Sequence, residues 1–145
     1  MARSILEAAV LAHHTAVMQA NDRLTAALAE HGLTHATAQA LWAIDPDEAP
    51  PSMKTIARRV FCNAPNLSFV MKQLTGRGLV ERTVDPHDRR SRVVNLTDDG
   101  RRVREAVIEA ALGTSPLARL EPDELRELAA LLNKALQSLG EPDPA

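Results

Sequence analysis

Tyrosine is absent from this chain of 145 residues, and its only aromatic residues are Trp42, Phe61 and Phe69. With so few rings, Ala, Leu and Val must fill the interior, which favours packed helices over a β-sandwich. The single cysteine, Cys62, excludes an intrachain disulfide and a cysteine-cluster zinc site. No apolar run approaches the ~18 residues of a membrane span. The opening MARSILEAAVLAHH lacks the layout of a signal peptide. The expectation is a soluble, cytoplasmic protein with no membrane partner. A glycine-rich phosphate loop, a G-x-S-x-G elbow and an H-E-x-x-H pair are also missing. Glu121, Asp123, Glu124 and Glu127 bunch at a helix start, where capping explains them. Neither an enzyme nor a bound cofactor is expected.

The small net charge of −2 conceals a lopsided distribution. Residues 52–104 hold 12 Lys and Arg against 5 Asp and Glu, a net +7, and the rest holds 5 against 14, a net −9. A basic middle between acidic ends suits a module that faces a polyanion. A merely solvated charged surface is the alternative.

Periodicity divides the chain into helices. Leu6, Val10, His13, Val17, Asn21, Leu24 and Leu28 follow 4-3-4-4-3-4 spacing on one helical face over residues 4–31, and Gly32 fits a left-handed cap. At ~1.5 Å per residue such a helix is roughly 40 Å long, more than so small a core requires. Its excess length points to packing on a second chain. Thr34 fits an N-cap for a helix carrying Ala38, Leu41 and Trp42, and Pro46 with Pro50-Pro51 marks a loop. Ser52 caps a short helix with Met53, Ile56, Ala57 and Val60 inward, Phe61-Cys62 turns, and Asn63 caps the next helix with Pro65 in its first turn. Leu67, Val70, Met71 and Leu74 form that helix's buried stripe, and Gly78 ends it. A helix capped by Thr97 carries Val103, Val107, Ala110 and Ala111. A last helix from Glu121 carries Leu125, Leu128, Leu132, Leu136 and Leu139 to Gly140, and the tail 141–145 is expected to be disordered.

Between the fourth and fifth helices, LVERTVDPHDRRSRVVNLTDDG reads as a β-hairpin. Its arms are Leu79–Val84 and Arg92–Leu96, with Val94 and Leu96 inward and a turn at Pro86-His87-Asp88 ringed by Arg89, Arg90 and Arg92. Fixed-charge guanidiniums suit phosphate oxygens and a narrow DNA groove. Opposite the buried stripe of the helix before it lie Pro65, Asn66, Phe69, Lys72 and Gln73. Asn and Gln can bond adenine bidentately, and a Phe can touch a thymine methyl. A solvated face is the plainer alternative.

The run DRRSRVVNLTDDG, residues 88–100, resembles the wing-to-helix signature of the MarR family of transcriptional regulators, and IARRVFCNAPNLSFVMKQLTGRGLVER, residues 56–82, resembles the helix-turn-helix and Arg-Gly-Leu-Val-x-Arg junction of that family. The resemblance implies a mainly α fold with a small β-hairpin wing. One domain would span residues 1–145, with the winged helix-turn-helix at about 34–100 and dimerisation helices at about 4–31 and 98–139. It implies a homodimer on a near-palindromic double-stranded DNA operator, acting as a repressor released by a small-molecule effector. The DNA-binding set it implies is Asn63, Pro65, Asn66, Phe69, Lys72, Gln73, Arg77, Asp88, Arg89 and Arg90. Arg90 would enter the minor groove, and Asp88 would hold the wing arginines in place. Two departures stand out: Lys72-Gln73 where many members carry Asp-Arg, and Phe69 where a small or polar residue is usual. Neither threatens the fold, but the operator sequence cannot be taken from relatives.

Other readings remain beside this one. Cys62 as a redox sensor competes with an inert thiol packed in a turn. The five histidines (His13, His14, His31, His35 and His87) lack partners at metal-ligand spacing, so no metal site is assigned. His13, Met18 and Trp42 are candidates to line an effector site, against the reading of plain apolar core. A winged-helix protein-interaction module without DNA binding is the alternative from a different class.

Overall fold

Two helices of this chain end in the same backbone motif, and that repetition sets out the core. The computed structural model describes the backbone of residues 2–60 and 64–140 and the side chains of residues 2–60 and 66–137. The elements run α1 (Ala2–Glu30), α2 (His35–Trp42), α3 (Met53–Arg59), α4 (Ala64–Gly76), β1 (Val80–Asp85), β2 (Asp88–Leu96), α5 (Asp98–Thr114), a 3-10 turn (Pro116–Arg119) and α6 (Pro122–Gly140). The fold is a mainly α winged helix-turn-helix with a two-stranded wing. The Phe61-Cys62 turn, the Asn63 cap and the tail 141–145 lie outside the described residues.

At the end of α1, Leu33 N–H donates to Leu28 O and Gly32 N–H to Ala29 O. At the end of α4, Leu79 N–H donates to Leu74 O and Gly78 N–H to Thr75 O. Both are Schellman closures, and each needs a left-handed residue, supplied by Gly32 at φ 67° and Gly78 at φ 71°. The apolar pairs that flank them, Leu28 with Leu33 and Leu74 with Leu79, are all buried.

Three helix starts are closed by hydroxyls. Thr34 and Thr37 cap α2 reciprocally, side chain to backbone N–H in both directions. Ser52 Oγ accepts from Thr55 N–H at 3.1 Å on α3. Thr97 Oγ1 accepts from Gly100 N–H at 3.0 Å on α5. Each such cap is worth about 1 kcal/mol. They leave the apolar stripes free to meet. Leu28, Leu41, Ile44, Ile56, Leu67, Met71, Leu74, Val80, Val94 and Val107 are fully buried together, and each contributes roughly 1.5–3 kcal/mol of transfer free energy.

The hairpin pairs Val80 with Leu96 through Val84 with Arg92, then slips by a bulge before Asp85 pairs with Asp88. Its second strand is longer than expected, and Val93 is buried as well as Val94. Val93 is covered by the loop before α3: Ser52 bridges to it, and Val94 N–H donates to Pro51 O at 2.9 Å. The loop before α3 therefore covers the open edge of β2 at Val93 and Val94.

Three further features differ from the sequence reading. Trp42 is 42% exposed rather than inward, because the buried face of α2 runs through Thr37, Ala38, Ala40 and Leu41. A 3-10 turn at Pro116–Arg119, opened by Ser115 Oγ accepting from Leu117 N–H, fills what read as a plain break. The stripe of α1 is buried in this chain only at its end: Leu28 is 1% exposed, whereas Ile5, Leu6, Val10 and Leu11 are open to solvent. The leucines of α6 behave likewise, with Leu131, Leu132 and Leu136 exposed. Between α1 and α6 runs a cavity of about 480 Å³, walled by Ala9, Ala16, Ala20, Leu117, Leu128 and Leu132. Among the described residues no helix is long and apolar enough to cross a membrane.

Candidate nucleic-acid interface

Helix α4 turns its apolar stripe inward at Leu67, Val70, Met71 and Leu74, spaced i, i+3, i+4, i+7. The opposite face then has no choice but solvent. It presents Asn66, Phe69, Lys72 and Gln73, all exposed. Phe69 is 64% exposed, an aromatic ring left open on an otherwise polar surface. Pro65 lies in the first turn of α4, its side chain outside the described set, as is Asn63.

Arg77, also in the expected set, is exposed and has its guanidinium engaged within the chain. Its guanidinium donates from Nη2 to His31 O at 2.7 Å and from Nη1 to Gly32 O at 3.1 Å. The side chain reaches back to the end of α1 because those carbonyls, like all at a helix C-terminus, have no intrahelical donor. Sequence spacing gives no sign of this contact, since the partners lie 45 and 46 residues away.

The wing tip is a two-residue turn held by two carboxylates. Asp85 Oδ1 accepts from His87 N–H at 2.9 Å, and Asp88 Oδ1 accepts from Arg90 N–H at 3.0 Å. Asp88 thus holds the arginine segment by its backbone rather than by its guanidiniums. Arg82, Arg89, Arg90 and Arg92 stand exposed around it. Among the described residues the ion pairs lie elsewhere, between Arg59 and Glu48, Arg102 and Asp99, and Arg126 and Asp123. The wing guanidiniums therefore keep their charge available to an outside anion. Lower on the hairpin, Asn95 Nδ2 donates across the strands to Thr83 Oγ1 at 2.9 Å.

The junction behind the wing is built by Thr97 and Gly100 of the Leu-Thr-x-x-Gly run, whose packing role the motif alone does not give. Thr97 N–H donates to Leu79 O at 3.1 Å, and Thr97 Oγ1 donates to Gly78 O at 2.6 Å. Gly100 packs so closely that a Cβ there would sit 1.9 Å from Leu79 O. The Leu-Thr-x-x-Gly run is thus a backbone weld between the end of α4, the wing and α5. A glycine within the first turn of a helix was the available signal.

The three candidate effector residues do not converge within the chain. His13 lines the α1–α6 cavity, Trp42 lines a separate depression of about 340 Å³ with Gln39, Ala43, Arg59 and Val60, and Met18 is exposed on α1. His35 Nε2 lies 2.7 Å from Thr25 Oγ1. Among the described residues no cluster of three His, Cys, Asp or Glu could hold a metal ion.

Known proteins share this fold. The sequence pattern described as the MarR family matches residues 31–91, from the end of α1 through the wing arginines. The uncharacterized HTH-type transcriptional regulator YkoM of Bacillus subtilis is 32% identical over 88 residues, 59% of this chain. The chain spans only 57% of the length of YkoM. A MarR-family transcriptional regulator from Silicibacter pomeroyi superposes with a TM-score of 0.78 at 24% identity, covering 94% of this chain and 92% of that one. CouR of Rhodococcus jostii RHA1, solved with p-coumaroyl-CoA, superposes at 0.73 with 24% identity over 93% of this chain and 92% of its own. A structure of the transcriptional repressor CouR on a 23-mer DNA duplex superposes at 0.64 with 27% identity over 90% of each chain.

Proposed function

Because the chain belongs to the MarR family, whose members are transcription regulators and not enzymes, we propose that it is a sequence-specific repressor that grips a near-palindromic operator as a homodimer. The observation that carries this reading is the pairing of two exposed surfaces. One is the Asn66, Phe69, Lys72, Gln73 face of α4, and the other is the ring of wing arginines without acidic partners among the described residues. The first suits base edges and thymine methyls in the major groove. The second suits phosphates and a narrow minor groove, with Arg90 foremost. The exposed leucines of α6 and the open stripe of α1 support the homodimer, since an apolar surface of that extent calls for a partner. Release by a small apolar or aromatic effector completes the proposal. Its support is the apolar α1–α6 cavity.

A genomic binding-site map followed by a salt titration tests the function. The expected sites hold two half-sites about 10 bp apart, to match a twofold dimer. Affinity should fall by roughly a thousandfold or more between 50 and 200 mM salt if about six phosphates are neutralised. Flat affinity across that range, or sites without twofold character, would count against DNA reading.

A further inference from the structure

Helices α1 and α4 end in matching Schellman closures, and one side chain from the second closure reaches into the first. Arg77, beside the left-handed Gly78, donates both terminal nitrogens of its guanidinium to His31 O and Gly32 O. Those carbonyls sit at the negative end of α1 and point out of the helix, where a cation is favoured. Gly32 also leaves its open face against the guanidinium: a Cβ there would lie 3.5 Å from Nη1. The planar fork of an arginine can bridge two adjacent carbonyls at fixed angle, which a lysine ammonium cannot do in the same way.

We propose that Arg77 is a positioning residue for DNA reading: it pins the end of the recognition helix to the end of the dimerisation helix and so sets the spacing between the two recognition helices of the dimer. The proposal rests on the homodimeric DNA-binding reading above. Helix α1 belongs to the dimer arm, and α4 carries the reading face. The angle between them passes directly into the separation of the two reading faces. Phe69 lies about 12 Å along the helix from Arg77, so a tilt of roughly 5° at the strut moves the reading side chains by about 1 Å. The half-sites are fixed on a rigid duplex, so a loosened hinge should appear as tolerance of wrong spacing. It should not appear as lost charge, because these donors are already engaged within the protein.

The test uses the full-length protein and duplexes that the wild type recovers from a random 30-bp library, remade with one or two base pairs added or removed between half-sites. Wild type should discriminate sharply among spacings. Arg77→Met should bind the best duplex about tenfold more weakly and discriminate among spacings severalfold less. The slope of log affinity against log salt should stay the same, because no phosphate contact is lost. Arg77→Lys should follow Arg77→Met in spacing tolerance, because it keeps the charge but not the fork. A salt slope shallower by about two per dimer in Arg77→Met, restored in Arg77→Lys, would overturn the strut and make Arg77 a phosphate contact. A spacing profile identical to wild type would overturn it equally. If Arg77→Met fails to fold, Arg77→Lys decides by its spacing profile: loss of discrimination supports the strut, and a wild-type profile overturns it. Recovery of no common sequence by the wild type would sink DNA reading itself, and the strut with it. Recovery followed by an unaltered spacing profile would sink the strut alone.

Discussion

Residues 34–100 and the helices on either side of them treat their apolar side chains in opposite ways. Within the winged segment, Leu41, Ile44, Ile56, Met71, Leu74 and Val94 are closed off by neighbours from the same chain, and backbone bonds weld α4, the wing and α5 together. In the first half of α1 and the later turns of α6 the leucines are equally regular in spacing yet stand open, with Leu6 at 64% and Leu136 at 59% exposure. Regular apolar spacing therefore means two things in one molecule. Where the facing element is local, it marks a core, and where none is supplied, it marks an open surface, the one the proposed homodimer would cover. The difference also separates stability from assembly: damage to the first region should unfold the protein, and damage to the second should leave a folded domain with an altered mass.

The sharpest way to break the first region is Gly100→Ala. The added methyl would collide with the carbonyl of Leu79, and backbone must move. A loss of about 4 kcal/mol is expected, read as a fall in urea midpoint. A loss under about 1 kcal/mol would show that the weld yields easily. The counterpart in the second region is Leu132→Asp. It should weaken the dimer by about 3 kcal/mol, through an unpaired charge buried at the interface. Sedimentation equilibrium should show dissociation while far-ultraviolet circular dichroism of the winged segment persists; an unchanged mass would move the interface off α6.

Smaller effects separate the two reading surfaces. Gln73→Ala should relax sequence preference at a cost of about 1–3 kcal/mol on the best site. Arg90→Ala should weaken all sites more evenly and make the salt slope shallower by roughly one unit per wing. If the two variants behave alike in a sequence-resolved binding assay, the division between base reading and groove reading is wrong. Phe69→Ala should be the mildest for the fold, within about 0.5 kcal/mol, since its ring is already open to solvent. It should still lower specific affinity by about 1 kcal/mol through a lost thymine-methyl contact. A melting temperature several degrees lower with unaltered affinity would place Phe69 in the core.

Much of the winged segment could be read from spacing alone, because its signals are local. Thr34, Ser52 and Thr97 cap the helices they were expected to cap, and the α4 stripe of Leu67, Val70, Met71 and Leu74 is buried as its period demands. What escaped reading depends on partners distant in sequence. Burial of Val93 requires Pro51 and Ser52 alongside it, and nothing near Val93 announces that. The engagement of Arg77 needs the carbonyls of α1 in place first. Trp42 reads as inward because its helix is short, and in eight residues a phase error of one residue, roughly 100°, moves a side chain to the surface. The face of α4 is legible as a surface from its period, but what it would bind is set by a partner outside the chain.

The bridge from Ser52 to Val93 also bears on the order in which the molecule folds. The wing hairpin has its turn and register encoded within a few residues and can close in about 1–10 μs. Its third member must arrive from about forty residues away, and chain closure of that kind is entropically slower. The wing should therefore exist first as a flickering two-stranded ribbon and become fixed in attitude only when the loop ahead of α3 is laid along it. In pulse-labelled hydrogen exchange, the Val94 amide, which donates to Pro51 O, should gain protection together with the amides of α3 and later than the turn amides of His87 and Arg90. Val94 protection arriving with the turn amides would mean that the wing and its edge are assembled in one step.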